Sequence, residues 1–417
     1  MATMHATSSA EHIAKVIFKY AALISKEQDV SSLIQLNADL ARDIAGAERC
    51  SLWLMDKQTG ELWTRVAHGV GELRIPAGQG IVGSCISQGE ILLSNNAQSD
   101  KRLWRSVDDS TGYRTNSVLC VPLVHETAVI GALQVLNKPG GFTDEDVEVV
   151  RLMAVYAASA IQTEALRQEA NMARLLQHEL TMAATVQQRL FPLESERAVK
   201  GLEYAGLCRP AKFVGGDYYD FLSLPGNIFA LTLGDVSGKG MSAAVLMASI
   251  QTLLRALLRR YPQEIAAATT ELNEALYQSS TADRYSTLFC ATVNPASKTM
   301  TYVNAGHIPP FIVRHGGSIE RPGEGDMPVG LINFATYRQH VIAMDPGDLL
   351  VCVSDGVLEA QNENGELWEE SRLESSLYEL RDGPVREVAA RLLQRLDQFV
   401  GAVEQFDDIT IVIARMS

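Results

Sequence analysis

The sequence predicts an α+β chain in which two mixed domains are joined by an unbroken helix. Three observations carry this expectation. Apolar residues recur at three- and four-residue spacing in "HIAKVIFKYAALI" and "VSSLIQLNADLARDIAG", whereas "RCSLWLMD", "ELWTRVA" and "SVLCVPLVHETAVIGALQVLNK" are short apolar runs bounded by turn residues. The stretch from Leu166 to Pro192 holds no glycine, and no proline before its end. From Glu194 onward strand and helix patterns alternate again, and a length of 417 residues suits two or three domains.

Composition narrows the class. Hydrophobic residues make up 47% and charged residues 21%, enough apolar material for sizeable cores. A net charge of −14 disfavours nonspecific binding to nucleic acid or anionic membrane. The six cysteines are scattered without a CxxC pair, which argues against a zinc site and reads as buried reduced thiols of a cytoplasmic protein. "MATMHATSSAEH" lacks the basic and apolar regions of a signal peptide. No run approaches the roughly 18 apolar residues of a membrane span.

In the first domain, helical periodicity runs from about Ala10 to Ala45. Strands follow, with "KQTGE" and "HETA" as hairpin turns. Thr143 is a plausible N-cap for "DEDVEVVRLMAVYAASAIQTEAL", whose acids fall in the first helical turn. "IPAGQGIVGSCISQGEILLSNN", "VPLVHETAVIGALQVLNK" and "FTDEDVEVVRLMAVYAASAIQ" together resemble a GAF domain over about Asp29 to Gln162. The resemblance implies a sensory module, often dimeric, that in some members binds a small molecule. Asn137, Lys138, Phe142, Asp144 and Glu145 form only part of the signature of the nucleotide-binding subset, because the Phe-to-acid spacing is short. Charge at a helix N-terminus explains those acids more simply.

The linker follows. Heptad positions a and d fall on Leu166, Glu169, Ala173, Leu176, Leu180, Ala183, Gln187 and Leu190, a coiled-coil seam with two polar interruptions. A parallel dimer stalk is expected, ended by Pro192. The predicted boundaries are a sensor over 1–165, a helical coiled-coil linker over 166–193 and a catalytic domain over 194–417.

In the second domain, "IFALTLGDVS" and "LLVCVSDG" are apolar runs that end in Asp. "GMSAAVLMASIQTLLRALLRR" is a long helix, and "YSTLFCATVNPASKTMTYVNAGH" reads as strand, turn, strand. Asp217, Asp235, Asp355 and the pair Asp407 and Asp408 all stand where an apolar strand meets a turn. A lone Asp there only starts a turn. Several converging carboxylates would repel one another unless cations compensate them, and oxygen-only ligation suits Mg²⁺ or Mn²⁺. "GDVSGKGMS" is not a P-loop, since three residues separate Gly234 and Gly238 and Gly240 follows Lys239. "GGDYYDF" is only a partial match to the GGDEF turn of diguanylate cyclases, with Tyr218 where an acid belongs.

"GGDYYD", "LGDVSGKGMSAA", "YVNAGHIPP", "VSDGVLEA" and "FDDITIVIA", in this order, resemble the motifs of PPM-type metal-dependent protein phosphatases of the SpoIIE/RsbU branch, over about Glu194 to Ser417. "ELTMAATVQQRLFP" is similar to the regulatory helix before the catalytic domain in that branch. The resemblance implies an α-β-β-α sandwich of two antiparallel sheets, with two Mn²⁺ or Mg²⁺ ions at one edge. It assigns Asp217, Asp235, Asp355 and Asp407 to catalysis and metal binding, with Asp235 bridging and the Val236 carbonyl as a further ligand. It implies hydrolysis by water activated between the ions, without a phosphoenzyme. The implied substrate is a phosphoserine on a bacterial regulatory protein of the anti-sigma-factor-antagonist type. Asp407 against Asp408 stays open, as do the roles of His307 and Lys239. A sensor-linked nucleotide cyclase and an inactive scaffold are the rival readings.

Overall fold

The computed structural model describes residues 20, 23, 26–27, 29–56, 59–67, 73–192, 201–281, 283–323 and 325–417. The expected helix before residue 20 and the expected boundary between 193 and 194 lie outside these residues. The chain divides into two compact units, Met1–Leu175 and Leu176–Ser417.

The first unit is built on a six-stranded antiparallel sheet of order β3-β2-β1-β6-β5-β4, with β1 Arg49–Met55, β2 Glu61–Ala67, β3 Leu73–Pro76, β4 Leu92–Ser94, β5 Val118–His125 and β6 Ala128–Leu136. Strand alternation gives the sheet two apolar faces. Leu119, Val121 and Leu123 of β5 pack with helix α1, Val30–Ala45, and with Val150, Ala154 and Ile161 of the long helix. Val118 and Cys120 face Ile81, Val82 and Cys85 of α2, Gly80–Gln88. α1 starts at Asp29, whose carboxylate accepts from the Ser32 amide at 2.8 Å, and stops at Gly46, φ 62°. A short helix α3, Arg105–Thr111, lies before β5.

The next helix, α4, runs without a break over Asp144–Gln188, so the predicted amphipathic helix and linker are one element. Thr143 is its cap, as expected. The Thr143 amide donates to the Asp146 carboxylate at 2.8 Å, and the Asp146 amide donates back to Thr143 Oγ1 at 3.4 Å. Lys138 forms an ion pair with Asp146, and Asn137 Oδ1 accepts from the Asn116 and Ser117 amides. These residues of the partial nucleotide signature thus hold the corner that launches the helix. Leu166, Met172, Leu175, Leu176, Met182 and Val186 are exposed. The last seam positions differ from a simple coiled coil. Leu180 and Ala183 are half-buried, Gln187 is buried, and Leu190 packs against the core of the second unit.

In the second unit two five-stranded sheets pack face to face. One has order β14-β11-β10-β9-β8 and the other β13-β12-β15-β16-β7. The first holds β8 Tyr218–Leu224, β9 Ile228–Val236, β10 Ser286–Asn294, β11 Thr299–Ala305 and β14 His340–Ala343. The second holds β7 Leu202–Arg209, β12 Phe311–Val313, β13 Ile319–Glu320, β15 Leu349–Val353 and β16 Ile409–Met416. Phe229, Leu231 and Leu233 of β9 meet Leu350, Cys352, Val412 and Ala414 between the sheets. The alternate β9 residues Ile228, Ala230 and Val236 face helices α5, Met241–Arg260, and α6, Ile265–Ser279. α8, Glu369–Leu380, and α9, Val385–Val400, cover the outside of the other sheet, and a short α7, Asp355–Leu358, follows β15. This is the α-β-β-α sandwich the resemblance implies. α5 is long and apolar enough to cross a membrane by length and composition alone, but Met247, Ile250, Leu254 and Leu258 pack its apolar face into the core.

Candidate metal centre

The hairpin β8–β9 sets the first two acids. Tyr218 pairs with Gly234, so Asp217 and Asp235 stand opposite one another one step further along the ladder. Only glycine fits beside Tyr218 there, because a Cβ on Gly234 would lie 2.4 Å from the Tyr218 ring. Gly216 lets the chain pass the Val236 carbonyl, which a Cβ would approach to 2.7 Å. Asp355 opens α7 directly after β15, and Asp407 and Asp408 precede β16. β15 and β16 are paired neighbours, which brings both chain ends to the same edge. A Cβ on Gly356 would strike the Asp408 carbonyl at 2.1 Å, so the two turns are in close contact.

The acids act on one another electrostatically. Asp217 is 1% exposed, and burial, then repulsion from Asp235 and Asp408, raises its carboxyl well above the usual range. Asp235 is pushed up to about 7 by burial and then by Asp355, Asp407 and Asp408, while a hydrogen bond with Asp217 opposes the shift. Burial, then Asp407 and Glu359, raises Asp355. Among the described residues no three acidic, His or Cys side chains gather round a single point. The acids form a string of interacting neighbours, Asp217 to Asp235 to Asp355 to Asp407. Asp217, Asp235 and Asp355 resist ionisation because of burial and of the acids beside them, and with Asp407 they make a donor set that divalent cations would neutralise, whose all-oxygen chemistry fits Mg²⁺ or Mn²⁺.

The two adjacent acids have different work. The Asp408 carboxylate accepts from the backbone amides of Ala211 at 2.8 Å, Gly216 at 2.7 Å and Asp217 at 3.3 Å. It is spent on tying the loop before β8. Asp407 instead meets Lys239 Nζ at 2.8 Å, and its Oδ1 accepts the Asp408 amide at 2.9 Å. We therefore expect the two to separate on mutation. Asp408→Ala leaves three amides without their acceptor and lowers stability by about 3 kcal/mol, read by thermal unfolding. Asp407→Asn leaves the melting temperature within a few degrees and weakens Mn²⁺ binding, read by calorimetric titration.

Sequence reasoning missed several contributors. Thr410 Oγ1 donates to Asp217 Oδ2 at 2.6 Å, and the Ser354 hydroxyl also bonds to Asp217. Both flank acids in "VSDG" and "DDIT", the one signal that could have marked them. Lys239 is exposed but engaged: besides Asp407 it donates to the Phe406 carbonyl at 2.9 Å and lies 3.7 Å from the centre of the Phe406 ring. His307 is 6% exposed, with Nδ1 2.9 Å from Thr287 Oγ1, its amide donating to Asn304 Oδ1 at 2.8 Å, and burial driving its pKa down to about 4. A ring neutral at pH 7 is not the imidazolium acid that would readily protonate a leaving group, and its contacts with Thr287 and Asn304 are those of a residue that holds a turn. Asp220, in the same hairpin, faces away from the array; it is buried and is held by the half-exposed Arg255, with Nη2 2.7 Å from Oδ1.

Residues 225–417 match the family of Stage II sporulation protein E (SpoIIE), and residues 27–162 match a GAF domain. Protein IcfG of Synechocystis is 26% identical over 264 residues, covering 56% of this chain and 41% of that protein. Phosphoserine phosphatase RsbU of Bacillus subtilis is 28% identical over 249 residues, covering 58% of this chain and 70% of that one. The chain thus spans less than half the length of the first of these relatives. The SiaA-PP2C domain of Pseudomonas aeruginosa matches the fold with a TM-score of 0.55 at 19% identity, over 60% of this chain and 100% of that domain. The fold, the ordered motifs and these matches together show a GAF domain over residues 27–162 followed by a SpoIIE-type PP2C phosphatase domain over residues 225–417.

Proposed function

We propose that the chain is a signal-regulated, metal-dependent protein serine phosphatase. The observation that carries this is the set of neighbouring carboxylates at the sandwich edge, of which Asp217, Asp235 and Asp355 are raised by burial and by the acids beside them, supported by the family match. Asp217, Asp235, Asp355 and Asp407 would hold two Mn²⁺ or Mg²⁺ ions, with the Val236 carbonyl beside them. Divalent ions held there supply a water of lowered pKa and neutralise charge on the phosphoryl group. The chain's own part is placement. Asp235 stands between Asp217 and Asp355 and orients both ends of the array. Ser354 and Thr410 hold Asp217, and Asp408 fixes the loop that carries it. The substrate is proposed to be a phosphoserine on a regulatory protein, of the kind that antagonises an anti-sigma factor. Phosphate release from a phosphoserine peptide with Mn²⁺ tests the reading. Cyclic product from GTP or ATP would instead support the cyclase, and no reaction in either assay would leave a scaffold.

Regulation is proposed to pass through α4. Gln187 Nε2 donates to the Gly215 carbonyl at 2.7 Å, and the Gly215 amide donates to Gln187 Oε1 at 3.1 Å. This clasp fastens the last turn of the helix to the glycine two residues before Asp217. Gln251 Nε2 also donates to the Leu190 carbonyl at 2.6 Å. A signal in the GAF domain that turns or shifts the helix would move the Asp217 loop. The exposed apolar residues of α4 fit a parallel homodimer through the GAF domain and coiled coil, which light scattering would register as twice the chain mass. We expect Gln187→Leu, which breaks both hydrogen bonds, to shift the Mn²⁺ concentration for half-maximal turnover by about fivefold, the equivalent of about 1 kcal/mol. An unchanged Mn²⁺ dependence would remove the coupling.

A further inference from the structure

A cavity of about 710 Å³ opens on the second unit beside the acid array, and Gly356 and Asp407 form part of its wall. It therefore begins where the phosphoserine must sit if the second unit is a phosphatase, and the role proposed for it rests on that reading. Its floor is apolar, made by Leu367, Val400, Val403 and Ile409. At its lip Phe406 is 83% exposed, an unusual state for a large aromatic ring, and Lys239 holds it there from its backbone carbonyl and ring face.

The charges on the walls are unequal. Asp397 is neutralised by Arg209 at 2.7 Å, and Asp407 by Lys239 at 2.8 Å. Glu359 and Glu404 also line the cavity, are exposed, and form no ion pair among the described residues. The cavity is thus an apolar trough with residual negative charge, in a chain of net charge −14. A phosphate, a nucleotide or an acidic peptide would be repelled from it. An aliphatic side chain followed by a cation would be held.

We propose that this trough docks the segment of the phosphoprotein substrate next to its phosphoserine, with an aliphatic residue on the Leu367–Val400–Val403 floor and a Lys or Arg reaching Glu359 and Glu404. The basic neighbour offsets the acidity around the array, which otherwise disfavours an anionic substrate. The trough, and not the array, then decides which phosphoserine is taken.

The test uses the full chain with Mn²⁺ and three substrates. One phosphoserine peptide is flanked by Leu and Lys, a second has each Lys replaced by Glu, and p-nitrophenyl phosphate is too small to reach the trough. The wild type is expected to favour the Lys peptide by about tenfold in kcat/KM, mainly through KM. Glu404→Lys should reduce that preference to about threefold. Val403→Trp, which fills the trough, should raise KM for the Lys peptide at least fivefold. Both variants should hydrolyse p-nitrophenyl phosphate at the wild-type rate. A preference for the Lys peptide that survives Glu404→Lys unchanged overturns the proposal, and so does the absence of any preference in the wild type. Fluorescence anisotropy of the labelled Lys peptide on the metal-free chain separates the two ideas. Binding weakened by Glu404→Lys supports the trough even if no substrate is hydrolysed, an outcome that would sink the phosphatase reading alone. Binding untouched by Glu404→Lys sinks the trough whatever the turnover.

Discussion

Asp235→Asn is expected to lower Mn²⁺-dependent hydrolysis of a phosphoserine peptide by about a hundredfold or more while the chain stays folded. Asp235 is the one acid that faces the others on both sides: it is hydrogen-bonded to Asp217 and repelled by Asp355, Asp407 and Asp408. Removing its charge takes away the anion that two cations would share, a loss in keeping with the several kcal/mol that metal ions contribute to such reactions. The fold does not need that charge. Asp235 is only half-buried, its neighbours Gly234 and Val236 keep their ladder positions against β8 and β10, and Asn has the same shape. Stability should rise without metal, because a carboxyl that resists ionisation in the folded chain has been replaced by a neutral group. Steady-state kinetics together with thermal unfolding checks both halves. A variant with wild-type turnover would show that Asp235 does not serve the reaction.

The second large effect is a reversal of the pH dependence of stability by metal. Asp235 has an ordinary carboxyl pKa of 3.8 when unfolded and about 7 when folded. Between those values the folded chain binds more protons than the unfolded one, so stability falls as pH rises through the window and levels off above about 7. Asp235, Asp217 and Asp355 shift in the same direction, and together they make the effect on the order of a few kcal/mol. A bound divalent ion requires the ionised carboxylates, so its stabilisation grows over the same window. The rise in melting temperature of the second unit caused by Mn²⁺ should therefore be small at pH 5 and roughly 10 °C larger at pH 7.5. Differential scanning calorimetry with and without Mn²⁺ measures it, and the difference cancels groups that titrate independently of the metal. An increment independent of pH would mean that the ion does not use these carboxylates.

Much of this was legible in the sequence, because the informative patterns are local. The short apolar run "IFALTLGDV" marks a strand buried on both faces, and two Gly-Asp corners around one hairpin place Asp217 opposite Asp235. What could not be read depends on contacts between residues far apart in the chain. Asp407 and Asp408 are chemically identical neighbours, and only the return of the chain past Ala211, Gly216 and Asp217 shows that Asp408 is taken up by amides. Gln187 falls on a heptad seam by spacing, yet its amide is claimed by Gly215, so a helical count assigned it to a partner helix when its bonds lie within its own chain. His307 could be read either as a proton donor or as the holder of a turn, and only its burial and its contact with Thr287 favour the second. Lys239 sits in a glycine-rich turn that suggests a phosphate, whereas its charge is already engaged by Asp407 and the Phe406 carbonyl.

Anomalous diffraction from crystals grown with Mn²⁺ tests the metal centre most directly. Two peaks are predicted at the edge of the sandwich, within coordinating reach of Asp217, Asp235, Asp355 and Asp407, with Asp408 still bonded to the backbone amides. Peaks elsewhere, or none between these acids at saturating Mn²⁺, would contradict it.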